Sequence, residues 1–583
     1  MNPEDIGTYY ESILDKEVRK AGGIYYTPPP IVDYMVNEVL NAYHSKGACL
    51  LANTNIVDPS CGAGIFLLGA YRHLLDLHEK HFGKLTLTQR YKILTENIFG
   101  VDIDPLAVKI TKYSLSMECS EGTDFSLNLD KNIRCGDSLM DDEFCWNSEF
   151  PGIFLQGGFD IVIGNPPYIQ LQKDGGRLAS KYQNCKFWTF ERTGDIYTLF
   201  YERGHQLLNE GGHLCFITSN KWMRTGYGES LRKFLSKNTT PKLLIDFAGT
   251  KIFESATVDT NILLFRKEKS KKKTQCCIVN KENIGDLKSF IKQNSVKCSF
   301  TSGDAWVILS PIEQRIKQKI ESVGIPLKDW DLQINFGIKT GFNEAFIIDG
   351  TKRKELIKQD RKSKEIIKPL LRGRNIKRYG YEFANLWLIC TFPALQVDIE
   401  KYPAVKEHLL SFGKNRLEQS GKRGARKKSN NKWFETQDTI SFWQDFDKPK
   451  IVYSEIVQSP QFYLDKEGKF FPDATAFVLS GEQLSFLYGL LHTNAVTYFF
   501  KTFYAGGGLG EDGYRYKKRF LELLPIPKPD NATAKKMENL VDKIMLQKQE
   551  GKDTTSLERK IDALVYELYG LTDEEIAVVE GKS

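Results

Sequence analysis

The chain has no C-x-x-C pair. Its 11 cysteines are scattered over 583 residues, with Cys276-Cys277 as their only cluster. That spacing builds neither a zinc site nor a disulfide ladder and predicts reduced thiols in a cytoplasmic compartment. The eight histidines include no H-E-x-x-H arrangement, so they read as structural and no metal is expected. No apolar run is long enough for a membrane span. The best candidate, Leu484 to Phe500, is interrupted by Gly489, His492, Thr493 and Asn494 and reads as one buried helix. Residues 1–22 are acidic and polar, which predicts a short leading helix instead of a signal peptide. Internal repeats are absent, and the glycine turn that follows the first strand does not have the G-x-G-x-x-G form of a dinucleotide site. As a candidate (D/E)-x-K nuclease element, Asp465-Lys466-Glu467-Gly468-Lys469 reads instead as a charged hairpin turn.

What is present is a divided chain. The net charge is +7, but its distribution is uneven. Residues 352–378 hold 12 Lys/Arg against 3 Asp/Glu, and residues 414–432 hold 8 against 1. Both runs are interleaved with Asn, Gln, Tyr or Trp, the composition of a surface that follows phosphates and reads bases. A third basic run, 266–273, reads as a linker or a non-specific backbone contact. Before residue 268, strand and helix patterns alternate as in a doubly wound α/β domain.

The chemistry gathers at strand ends in that first part. Phe159-Asp160-Ile161-Val162-Ile163-Gly164 is an apolar strand that stops at Asn165-Pro166-Pro167-Tyr168. Pro166 fixes its own φ and excludes Asn165 from helical space. The Asn165 side-chain oxygen and the Pro166 carbonyl then form a pair of acceptors, suited to an amino group with two hydrogens. Tyr168 offers a face to a flat ring. Upstream, Asn55-Ile56-Val57-Asp58-Pro59-Ser60-Cys61-Gly62-Ala63-Gly64 is a strand, a glycine turn and a helix start. An acid ahead of those glycines suits a cationic ligand better than a pyrophosphate. Ile98 to Asp104 is a second strand end, where Asp102 suits a ribose diol, with Ile103 beside it. Ile133 to Ser138 is a third, where Asp137 suits an adenine amino group. Three acidic strand ends followed by NPPY predict a crevice at the carboxyl edge of a parallel sheet.

Together these residues resemble the gamma-class, TaqI-like DNA adenine-N6 methyltransferases. Gly23 to Pro29 is similar to that class's first cofactor motif, Thr193 to Phe200 to its helix after NPPY, and Gly211 to Thr218 to its next strand. The resemblance implies S-adenosylmethionine as methyl donor, held by Tyr26, Thr27, Pro28, Asp58, Ser60, Gly62, Gly64, Asp102, Ile103, Asp137, Ser138 and Asn165. It implies catalysis by Asn165, Pro166, Pro167 and Tyr168, with Phe253 covering the second face of a flipped adenine. Phe336 to Phe346, Leu371 to Lys377, Ala505 to Gly510 and Tyr514 to Lys518 look like the target-recognition domain of these enzymes and of type IIG restriction–modification proteins. Arg374, Asn375, Lys377, Lys422, Arg423, Arg426, Lys427, Lys428, Arg515 and Lys517 are the candidate contacts to double-stranded DNA.

The expected architecture is α/β: an N-terminal helix (1–22), a Rossmann-like S-adenosylmethionine-dependent methyltransferase domain (23–268), a connector (269–325), an α+β target-recognition domain (326–529) and a C-terminal helical hairpin (530–583). The reading is a monomeric bacterial or archaeal enzyme, alone or with a separate restriction endonuclease or defence-system subunits. Three alternatives stand beside it. A protein glutamine methyltransferase presents a similar site to a carboxamide but does not need the second, basic half. A specificity subunit with a degenerate catalytic half is opposed by the intact Asn165, Tyr168, Asp58 and Asp102. A polypeptide with its own nuclease has no room here.

Overall fold

In the computed structural model, which describes residues 23, 27–44, 54–121, 127–248, 250, 252–253, 258–269, 273–504 and 513–582, the chain divides after Ser310 into two units. The expected N-terminal helix lies outside the described residues, as do Tyr26 and the glycine run 505–510.

The first unit is built on one mixed sheet of nine strands: β1 Ile56–Asp58, β2 Ile98–Asp102, β3 Ile133–Cys135, β4 Phe159–Gly164, β5 Leu208–Ser219, β6 Thr240–Asp246, β7 Thr260–Arg266, β8 Thr274–Ile278 and β9 Val296–Cys298. Their order is β3-β2-β1-β4-β5-β7-β6-β8-β9. The strands from β3 to β5 are parallel, whereas β7 runs antiparallel between β5 and β6. Every residue of β1 and β4 is buried, which is why both read as near-continuous apolar runs. Between β1 and β2 the crossover is lengthened by two helices, α1 Ile65–Phe82 and α2 Leu87–Asn97. Thr86 closes a capping box on Gln89 and sets where α2 begins. Helix α3, Pro105–Cys119, starts at Asp104, whose side chain accepts from the Leu106 amide.

The stretch expected to be a connector, 269–325, is structural at both ends. β8 pairs with β6, and β9 with β8, so the sheet continues past residue 268. Cys276 and Cys277, the one cysteine cluster, are buried in β8. Residues Pro311–Val323 form a helix of the second unit. Its Lys319 ammonium donates to Glu575 at 2.7 Å and to the Gly570 carbonyl at 2.7 Å, in the C-terminal helices of the same unit.

The second unit holds two four-stranded sheets and a helical C-terminus. One sheet is antiparallel, from Leu332–Phe336 through Ala476–Gly481 and Lys450–Ser454 to Phe462–Asp465. Asp465, inside the charged pentapeptide, is buried and accepts from the equally buried Lys450 ammonium at 2.7 Å and from the Phe470 amide at 2.8 Å. It is a turn anchor. The expected single helix 484–500 is two, Leu484–Leu491 and Asn494–Phe503, because Thr493 caps the second. Helices Asn531–Gln549 and Thr555–Tyr569 pack on each other, followed by Asp573–Val579.

Candidate active site

The order of the sheet reverses between β1 and β4, and a crevice opens at the carboxyl ends of the strands at such a point. Asp58 ends β1 and Asn165 follows β4, so these two expected residues flank the reversal. Gly164, just before Asn165, lies directly against the Asp58 carboxyl. A Cβ placed on it would lie 2.5 Å from Asp58 Oδ1, so no other residue fits there without displacing the carboxylate. Gly23 makes a second close approach. At φ +62°, its Cβ position lies 2.6 Å from the Tyr168 nitrogen, which presses the start of the first unit against NPPY.

The Asp58 carboxyl is fully buried. Oδ1 accepts from the Ser60 amide at 2.9 Å, and Oδ2 has no hydrogen-bond partner among the described residues. Burial, with the neighbouring Asp102 charge adding to it, pushes this acid up to about 8. Asp102 accepts from the Gly62 amide at 2.8 Å through Oδ2 and from the Asp104 amide at 2.9 Å through Oδ1. It is likewise raised above the ordinary carboxylate range by burial. Thr111 of α3 donates to the Gly62 carbonyl at 2.8 Å, and Gly64 (φ +85°) sits against the same threonine. The glycine turn is thus clamped between β2 and α3 and presents its backbone to the crevice. Ile103 is 63% exposed beside Asp102, an apolar side chain left in water at the crevice.

Asp137 is more heavily used than its sequence position suggests. It accepts from the Leu139 amide at 3.0 Å, the Lys181 ammonium at 2.6 Å and the Tyr182 hydroxyl at 2.9 Å. Of the roughly four acceptor positions of a carboxylate, about one remains. Ser138 donates to the Pro59 carbonyl, which ties the third strand end to the first.

The Asn165 amide nitrogen donates to Thr27 Oγ1 at 3.1 Å, which fixes the direction of the amide and therefore of its oxygen. Thr27 is buried just ahead of Pro28, so this contact gives the first expected motif a mechanical role that the sequence did not disclose. Tyr168 is buried. Its hydroxyl donates to the Ile217 carbonyl at 3.2 Å, and its ring meets Tyr197 edge-on at 5.9 Å. Phe253 lies 6.2 Å from the Tyr168 centroid at an interplanar angle of 61°. The two expected walls are therefore neighbours, but tilted. A flat base between them requires Phe253 to swing parallel.

In the second unit, one expected DNA contact is corrected. Arg426 is only 5% exposed, and its guanidinium donates to the carbonyls of Leu417, Thr340 and Trp433 at 2.8, 3.1 and 2.7 Å. Burial pulls it down to about 10. It is an internal clamp, because three carbonyls from separated segments converge on its planar fork. Lys422, Arg423, Lys427 and Lys428 surround it, are exposed and enter no ion pair among the described residues. The run 352–378 is more divided. Lys352, Lys368, Arg372, Lys377 and Arg378 are paired with acids, whereas Arg374 projects exposed from the turn Gly373–Asn375. Asn375 is half-buried in that turn, its carbonyl accepting from Glu382. Arg515 and Lys517 are exposed on either side of the buried Tyr516.

Comparison with known proteins fits this arrangement. Residues 96–253 match the Eco57I restriction-modification methylase family, and residues 368–526 match the TaqI-like C-terminal specificity domain. The chain is 26% identical over 585 residues to the type II methyltransferase M.BstVI of Geobacillus stearothermophilus, covering 96% of this chain and 98% of that one. It is 22% identical to M.PaeR7I of Pseudomonas aeruginosa, covering 98% and 96%. Among solved structures it is similar in fold to the type IIL restriction-modification enzyme MmeI in complex with DNA, with TM-score 0.59, 17% identity, and coverage of 100% of this chain and 81% of that one.

Proposed function

We propose, for a chain that belongs to the Eco57I/TaqI-like, adenine-specific family of type II DNA methyltransferases, that it methylates the 6-amino nitrogen of an adenine flipped from duplex DNA. The single observation that carries the reading is that the Asn165 amide, oriented by Thr27, directly follows Gly164, which packs against the buried Asp58 carboxyl. S-adenosylmethionine, when bound, supplies a methyl group on a sulfonium. Its cationic end suits the unpartnered, buried Asp58 Oδ2. The two remaining acceptor positions of Asp102 suit the ribose hydroxyls, Ile103 the face of the adenine ring, and the last acceptor position of Asp137 its amino group. Gly62 and Gly64 let the backbone approach.

The adenine amino lone pair is delocalised into the ring, which makes it a poor nucleophile. Asn165 Oδ1 and the Pro166 carbonyl accept its two hydrogens and favour a pyramidal nitrogen. This interaction strengthens as positive charge grows on the amine, so it acts on the transition state. Thr27 keeps the Asn165 oxygen aimed. Tyr168, fixed by Ile217, is the rigid wall of the base pocket, and Phe253 is the wall that adjusts. Their π faces suit the growing charge. In the second unit, Lys422, Arg423, Lys427, Lys428, Lys377, Arg515 and Lys517 hold phosphates, while Arg374 and Asn375 approach bases. The division of labour proposed is chemistry in residues 23–310 and sequence choice in residues 311–583.

The test is methylation-sensitive long-read sequencing of a host genome carrying the wild-type chain or Asn165→Ala. N6-methyladenine at one recurring motif with the former, and none with the latter, is expected. The variant should keep cofactor and DNA affinity within a few-fold. Normal methylation by Asn165→Ala would overturn the assignment. Modification of a glutamine side chain in a protein, with unmodified DNA, would favour the carboxamide alternative instead.

A further inference from the structure

Between Tyr168 and the helix Tyr197–Leu207 the chain makes an excursion, residues 171–194, that neither the methyl-transfer chemistry nor the recognition unit uses. Its two ends meet directly behind Tyr168. The Leu171 amide donates to the Gly194 carbonyl at 2.9 Å, the Ile196 amide to the Ile169 carbonyl at 2.9 Å, and Gln170 bridges Asp195. The excursion is held down at three places. Lys181 and Tyr182 bind Asp137. Phe187 is buried, with the Arg203 guanidinium 5.2 Å from its ring centroid. Thr189 is fully buried, its amide donating to Glu202 at 2.9 Å and its hydroxyl to the Thr198 carbonyl at 3.0 Å.

Trp188 stands between two of these anchors, yet it is 81% exposed, with no hydrogen bond or ring contact among the described residues. Burial of Phe187 and Thr189 on either side leaves the indole only the outward direction. A large aromatic fixed in water by a well-anchored loop is a contact surface kept for a partner. The charge around it indicates which partner. Lys173, Arg177, Lys186 and Arg192 are exposed and enter no ion pair among the described residues. Only Asp174 and Glu191 oppose them within the excursion. An indole among unpaired cations, on a loop rooted at the base-binding tyrosine, fits a polyanion with flat rings.

We propose that residues 171–194 form a DNA-binding site within the methylase unit, in which Trp188 stacks on a base face uncovered when the target adenine leaves the helix. Lys173, Arg177, Lys186 and Arg192 hold the neighbouring phosphates. Extrusion removes one base from the stack and exposes the faces above and below it. Aromatic stacking on such a face is tolerant of sequence, which suits a contact outside the recognition unit. The proposal rests on the base-flipping reading above.

The test uses the full chain and duplexes carrying its motif, mapped first by sequencing. Extrusion is read from 2-aminopurine at the target position, and methyl transfer from single-turnover rates on adenine. Trp188→Ala should slow extrusion and duplex methylation by roughly tenfold or more, with Trp188→Phe retaining most of both. On a duplex whose target adenine faces an abasic position, and so is already loosened, Trp188→Ala should lose less than threefold, with unchanged affinity for S-adenosylmethionine. Lys173→Glu with Arg177→Glu should weaken binding to all duplexes alike and flatten its salt dependence. Wild-type extrusion and rate in Trp188→Ala would overturn the proposal, as would an equal loss on both duplexes. Failure of the wild-type chain to methylate any DNA would sink the base-flipping reading, and it would show before any variant is made.

Discussion

If Asp58 holds the cofactor's sulfonium as proposed, cofactor affinity depends on pH, and the sign follows from the burial of Asp58. In the free protein its carboxyl sits at about 8, so at neutral pH it is mostly protonated. A sulfonium against Oδ2 supplies the missing counter-charge and returns the acid toward its ordinary value near about 4. Binding below pH 8 therefore releases about one proton. Affinity should rise about tenfold per pH unit between pH 6 and 8 and level off above, a total of about 2.7 kcal/mol. The thioether product, which lacks the sulfonium charge, should show a shallower slope. Folding stability runs the other way. The folded acid is raised above its unfolded value, so the folded state binds the extra proton. Its contribution is fully present below about pH 4 and is lost as pH rises through about 8. Asp58→Asn should abolish the affinity slope, weaken S-adenosylmethionine at pH 8 and above, and raise thermal stability of the ligand-free chain at that pH. Isothermal titration calorimetry in two buffers of different ionisation enthalpy measures both affinity and proton release. A flat affinity from pH 6 to 8, or an Asn variant with the same slope, would refute the reasoning.

Four further outcomes are expected. Gly164→Ala places a methyl group 2.5 Å from Asp58 Oδ1 and should reduce S-adenosylmethionine affinity at least tenfold by displacing that carboxylate, as read by calorimetry. Lys427→Glu with Lys428→Glu should weaken binding to all DNA sequences and lower the salt slope by about one per lost phosphate contact, with unchanged melting temperature. Arg426→Met should instead lower stability by on the order of 3 kcal/mol, because three buried carbonyls lose their donor. Expression of residues 1–268 should give an aggregating fragment, since removal of β8 exposes the β6 edge, whereas residues 1–310 keep the sheet and should be soluble and bind S-adenosylmethionine.

The strand ends were legible because their chemistry is local. Asp58, Gly62 and Gly64, or Asn165 and Tyr168, lie within a few residues of one another, and an apolar run fixes where each strand stops. What stayed hidden depends on residues far apart in the chain. Nothing around Arg426 distinguishes it from Lys427, because its three carbonyl partners come from Thr340, Leu417 and Trp433. The strands of 274–298 are five and three residues long among charged neighbours, so their addition to the sheet beyond β6 was not visible and the segment read as a connector. Thr27 was seen as part of a cofactor motif, but its hold on Asn165 needs the fold. The excursion 171–194 carries one signal that went unread in the sequence, Trp188 in a segment with five Lys/Arg besides it, 20 residues after Tyr168. Only the burial of both of its neighbours makes that signal strong.

On the proposed reading, the arrangement around Gly164 also accounts for how so small a set of residues can suffice. Methyl transfer from a sulfonium to an amine moves positive charge across the crevice and needs no metal-like polarisation at the acceptor. Two features must then be supplied: a negative, dry pocket for the donor and fixed acceptors for the amine. Burial raises the proton affinity of both Asp58 and Asp102, and the Asp102 charge adds to it at Asp58, so the pocket favours a cation. Asn165 and the Pro166 carbonyl are acceptors that carry no net charge, so they do not compete with the acids for the sulfonium. A carboxylate at position 165 would bind the donor as readily as it binds the amine. The neutral amide, aimed by Thr27 and separated from Asp58 by a residue with no side chain, keeps the two recognition tasks apart within one short strand end.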